Sequence, residues 1–246
     1  MSPLSRLILD PRFHGDDGKT NVAGGVMTDL GYDAAHLMGA VVLLMSFALL
    51  YQRRLSSLLN TFAMQALALS AAAFWQGYIQ DAPHLYVTGL LALGLKAILI
   101  PVALHRIATK LNIQRTVEPA LSVGLTMLAG VSLVTLSILL VMPVTEQTSA
   151  LTREDLALSL SVVLLGLLMM ITRRNAVSQV VGFMSIENGL ILAAVGVVGM
   201  PLVVEMSIAF SVMVAFIVFG IFLFQIRERF DTLDMHKIES FRGESR

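Results

Sequence analysis

The 246-residue chain is 56% hydrophobic and only 14% charged, which excludes the single packed core of an ordinary soluble domain and points to lipid as its solvent. Lys plus Arg and Asp plus Glu are equal at 17 each, so no global basic excess suggests a nucleic-acid partner. Cysteine is absent, which excludes disulfides, thiolate metal sites and cysteine-ligated iron–sulfur clusters in this chain.

Residues 1–30 hold one short apolar run, Leu7-Ile8-Leu9, followed by Asp10-Pro11 and a Gly/Asp-rich stretch. That pattern is unlike a signal peptide and reads as a polar N-terminal tail. About seven apolar spans of roughly 20 residues follow, each sufficient for a hydrocarbon core of ~30 Å. They run at approximately 34–51, 57–78, 85–104, 120–142, 155–172, 176–198 and 203–225. The expected fold class is therefore all-α, a polytopic transmembrane bundle of about seven helices over residues 31–226, with a polar C-terminal tail at 227–246. Thr152 and Asp155 resemble a capping box opening the fifth span, and Glu118-Pro119 reads as the first turn of the fourth.

Basic residues gather on one side of this arrangement: Arg53 and Arg54 after the first span, Arg106, Lys110 and Arg115 after the third, Arg173 and Arg174 after the fifth. The C-terminal tail is basic on the same side, whereas the loops around Asp81 and Pro201 have no Lys or Arg. The positive-inside bias then predicts an N-terminus outside and a C-terminus in the cytoplasm of a prokaryotic-type inner membrane. A faint parallel repeat relates 34–105 to 155–226: each segment has an Arg-Arg pair, a small or polar helix start, and a polar residue at mid-depth, Gln65 or Glu187. The identity between the segments is too low to establish a duplication.

Polar residues inside the spans are the functional candidates. Lys96 lies near the centre of the third span, in Gly94-Leu95-Lys96-Ala97 and five residues before Pro101. A lysine at such depth costs about 2.5–3.5 kcal/mol to insert, so it requires a polar partner or a wet pocket. It fits either proton transfer or a permanent structural ion pair. Glu187 sits roughly 17 Å into the sixth span, close to the midplane, among Gly182, Ser185, Asn188 and Gly189. It fits proton exchange, or a neutral hydrogen bond between helices. Glu205 begins the seventh span near the outer interface and is a weaker candidate. Gln65 and Asn188 are supporting polar groups, with a helix–helix hydrogen bond expected for Gln65. His105 and Arg106, at the cytoplasmic end of the third span, could start a proton route or simply anchor the interface. His36 and His84 lack a partner at metal-ligand spacing, and no metal site is assigned. No Walker loop, GxSxG elbow, HExxH or dinucleotide fingerprint occurs, so no self-contained active site is expected.

Several segments carry a family resemblance. Arg174-Asn175 followed by Gly182-Phe183-Met184-Ser185-Ile186-Glu187-Asn188-Gly189 resembles the sixth-helix motif of hydrogenase-4 component E. Met64-Gln65-Ala66-Leu67, Lys96 followed by Pro101, and Phe230-Asp231-Thr232-Leu233-Asp234 agree in order, so the similarity covers most of 34–243. The last three spans are more remotely similar to the K subunit of complex I and the C subunit of multisubunit cation/proton antiporters. Glu187 matches the first of two membrane glutamates in that superfamily, and Glu205 matches the second poorly. Ser211 departs from the acidic residue common in component E proteins.

The resemblance implies a non-catalytic membrane subunit of an energy-converting hydrogenase-4-like or complex-I-like assembly, coupling redox chemistry to proton or cation translocation. Lys96 and Glu187 would belong to the translocation axis, with Glu205 and His105 secondary. It also implies partners: antiporter-like and complex-I-like membrane subunits, and a peripheral hydrogenase or other redox module that carries the cofactors this chain lacks. A structural docking subunit, or a subunit of an ion or inorganic-carbon transport assembly without hydrogenase, are the alternatives.

Overall fold

The structure is a computed structural model that describes residues 17–110, 121–144, 150–196 and 213. All secondary elements among the described residues are helices. In chain order they are α1 (Asp17–Tyr51), α2 (Leu55–Ile79), α3 (Pro83–Leu91), a π-helical segment (Ala92–Leu99), α4 (Ile100–Lys110), α5 (Val123–Val144), α6 (Ala150–Thr172) and α7 (Ala176–Gly196). The third span is one rod made of α3, the π segment and α4. Six stretches among the described residues are long and apolar enough to cross a membrane, as expected of a multi-pass membrane protein. These correspond to the first six expected spans; apart from Met213, the seventh, at 203–225, and the C-terminal tail lie outside the described residues.

Helix α1 extends back to Asp17, into the segment read as a polar tail, while its membrane-length part is Asp33–Tyr51. The description of α6 begins at Ala150, so Thr152 lies within its first turn rather than before it. Asp155 is drawn instead to His36 of α1, with Nδ1 and Oδ1 3.0 Å apart. Between α2 and α3 the chain reverses tightly: Asp81 adopts a φ of 49°, a left-handed conformation that aspartate tolerates better than branched residues, and Pro83 opens the next helix without forfeiting a needed N–H donor.

Helices α1 and α2 form one hairpin and α6 and α7 another; α1 also packs on α6, and α2 on α7. The α6–α7 seam is closest where side chains vanish. A Cβ added to Gly189 would lie 2.9 Å from the Val163 backbone nitrogen, and one added to Gly166 would lie 2.8 Å from that of Ile186. Such backbone contact is how helices gain dispersion energy in lipid, where burial of apolar surface between helices offers no hydrophobic drive.

Two apolar clusters occupy different depths of the bundle. One, toward the α1–α2 and α6–α7 linkers, includes Leu50, Leu58, Phe62, Ile100, Met169 and Met184. The other, toward the opposite end, includes Val42, Leu69, Leu85, Val162 and Ile191. A polar layer lies between them. Helix α5 is largely outward-facing, with Leu125, Leu128, Val131 and Leu139 exposed, a surface suited to lipid.

Candidate functional site

The polar layer is built from four helical segments. The third span brings Lys96 into it from the π segment, where the Ile100 N–H donates to the carbonyl of Leu95, one residue further back than in an α-helix. Pro101 supplies a local cause. Without an N–H it cannot donate to the preceding turn, and its ring crowds the carbonyl of Ala97, four residues back. The widened turn directs Lys96 inward, where it is 1% exposed.

Across from it, α7 presents consecutive residues Glu187 and Asn188. Lys96 Nζ lies 3.2 Å from Glu187 Oε1 and donates to Asn188 Oδ1 at 2.9 Å. The Asn188 amide then donates to Gln65 Oε1 on α2 at 3.1 Å. Gln65 Nε2 donates in turn to Ser46 Oγ on α1 at 2.7 Å and to Ser185 Oγ on α7 at 3.0 Å. Gln65 and Asn188 are completely buried.

The chain of bonds has a defined direction. The Ser46 hydroxyl donates to the Val42 carbonyl at 3.0 Å, so the oxygen has lone pairs for Gln65 and the glutamine must present its NH₂ there. Its carbonyl consequently faces Asn188, whose NH₂ donates to it, leaving the asparagine carbonyl for lysine. The amides thus hold a strict acceptor beside Lys96, and Glu187 supplies a second. A buried lysine unpaired in this medium would be costly; paired with a carboxylate and a fixed amide, it is retained.

The arrangement is a charge-bearing site, with no nucleophile–base pair in it. Because the lysine and glutamate share one proton-exchange distance, the charged pair and its neutral counterpart differ by a single transfer. A charge arriving nearby would act strongly on that balance in a low-dielectric interior. The apolar layers above and below separate the pair from both ends of the bundle.

Comparison with known proteins adds a relative without a described activity. The chain is similar to uncharacterized protein Rv0085 of Mycobacterium tuberculosis, 28% identical over 203 residues, which covers 82% of this chain and 92% of the relative. No protein-family model and no solved structure matches it.

Lys96, Glu187, Gln65 and Asn188, all candidates in the sequence, therefore meet in one site. His105 does not join them: it is exposed on α4, and the buried Ile100 and Leu104 intervene along the helix. Glu205 lies outside the described residues. Ser46 and Ser185 were not singled out by sequence, since serine occurs freely in membrane helices; only the approach of α1 and α7 to Gln65 gives them a role. The π segment was also missed, although proline five residues after a buried lysine was its available signal. The second cluster, His36 with Asp155 and, at 4.0 Å, Glu154, joins α1 to α6 near the other end of the bundle.

Proposed function

We propose that this protein is a non-catalytic membrane subunit of an energy-converting hydrogenase-4-like or complex-I-like assembly, in which the Lys96–Glu187 pair takes part in moving protons or cations. The observation that carries the reading is the buried pair itself, 3.2 Å across two helices and held by an oriented amide chain at mid-depth. An ionisable pair is expensive to place in a membrane interior, and where it persists the default physical reading is charge transfer. The resemblance to component E in the Glu187-Asn188-Gly189 and Lys96-to-Pro101 segments supports the choice of assembly. Redox cofactors belong to peripheral partners in this reading, and antiporter-like membrane subunits adjoin this one. The Arg-rich linkers face the cytoplasm, with the N-terminus outside.

The pair works as an electrostatic intermediary. Transfer of the lysine proton to Glu187 turns two charges into two neutral groups, and Asn188 Oδ1 accepts from lysine in either state. A charge change in an adjoining subunit biases that transfer, and relaxation passes the bias onward.

Substitution Glu187→Gln in the native complex tests this. Ion translocation per redox turnover should fall by at least about tenfold, the scale of a lost proton-transfer group, while the complex still assembles. Unchanged translocation would sink the proposal. A docking role is the second reading, favoured by the extensive hydrogen bonding of the network; it requires instead that assembly fail while turnover per surviving complex is preserved.

A further inference from the structure

Away from the polar layer, two linkers at one end of the bundle bring arginines together. Arg53 and Arg54 join α1 to α2, and Arg173 and Arg174 join α6 to α7; Arg54 and Arg173 are each in isolated bridge pairing. The Arg173 side chain reaches from its own linker to the other one. It is only 3% exposed, and its Nη2 donates to the Leu50 carbonyl at 2.6 Å and the Leu49 carbonyl at 3.3 Å in the last turn of α1. That helix end offers unsatisfied acceptors and the negative end of the dipole.

Those contacts leave positive charge in excess. Among the described residues Arg173 Nη1 is buried without a hydrogen-bond partner, and burial lowers the guanidinium pKa. Arg53, Arg54 and Arg174 are exposed, and among the described residues none of the four arginines forms an ion pair. The first turns of α2 and α7, which start from the same linkers, contain no acidic residue. Immediately on the membrane side of the arginines, Tyr51 and Ile171 are 65% and 72% exposed. The surface is therefore amphiphilic, with apolar groups at acyl-chain level and guanidiniums one or two residues beyond them.

We propose that the two linkers form a binding site for the phosphodiester headgroup of an anionic phospholipid. Arg53, Arg54 and Arg174 engage the phosphate oxygens, for which planar guanidinium is well matched, while Arg173 fastens the linkers together and adds uncompensated charge beneath them. Exposed Tyr51 and Ile171 favour a lipid over a free phosphate, which has no apolar part to place there. The site is independent of the function proposed for Lys96 and Glu187.

The test uses the full chain purified in an uncharged detergent and unfolded by heat with diphosphatidylglycerol, phosphatidylcholine or inorganic phosphate added. Diphosphatidylglycerol alone should raise Tm. The triple variant R53Q/R54Q/R174Q should keep the lipid-free Tm but bind that lipid roughly a hundredfold more weakly. A control with the same charge loss, R227Q/R229Q/K237Q, should retain binding. No rise with diphosphatidylglycerol, an equal rise with either other probe, or an equal loss in the control variant would each overturn the proposal.

Discussion

At the scale of single residues, the Lys96–Glu187 pair dominates because each partner makes the other tolerable. Lys96→Met removes the ammonium that faces the Glu187 carboxylate, and Glu187→Gln removes the negative charge that faces the ammonium. Each single change should lower the thermal midpoint of the purified chain in detergent while leaving it folded and able to assemble. The double variant should recover most of that loss, since an uncharged pair carries no desolvation penalty. Loss of stability in the double variant equal to the sum of the singles would show that the two side chains do not interact. Both ionisable residues were legible in the sequence from their depth in apolar spans. Their being partners was not, because 91 positions separate them and no local periodicity links the third span to the sixth.

At the scale of elements, the α6–α7 seam sets where Glu187 and Asn188 stand. Gly189 faces the Val163 backbone, with the Val163 Cγ2 only 2.7 Å from where a Cβ would be. A leucine there must push the helices apart. Gly189→Leu should therefore lower the thermal midpoint and reduce the yield of folded protein by size-exclusion profile, a cost of about 1–3 kcal/mol for overpacking. The same change at the exposed Gly94, where nothing lies within 4 Å, should be well tolerated. Gly182 and Gly189, close to Glu187 in sequence, leave room for another helix, and α6 takes that room. The π segment shows the opposite case. It carries Lys96 to an acceptor on α7, a long-range partner that propensity does not encode.

At the scale of the whole molecule, the six membrane-length helices among the described residues run in alternating direction and place the α1–α2 and α6–α7 linkers at one end and the α2–α3 turn at the other. The absence of cysteine makes single-cysteine labelling clean. In intact cells or right-side-out vesicles, His84→Cys should react with a membrane-impermeant maleimide, and Arg54→Cys should react only after permeabilisation. The reverse pattern would invert the orientation expected from the positive-inside bias.

The sequence by itself determined the class of structure and the depth of the important groups. Both follow from transfer energetics, which act residue by residue: apolar runs must match a hydrocarbon thickness, and charge within them must be accounted for. Tertiary structure alone decided which polar groups meet. Hydrogen bonds and ion pairs are short-ranged and directional, so Ser46, Gln65, Lys96, Glu187 and Asn188 become one site only when four helical segments are brought together at the same depth. The same reason turned Asp155 toward His36 and Arg173 toward the end of α1, contacts invisible along the chain.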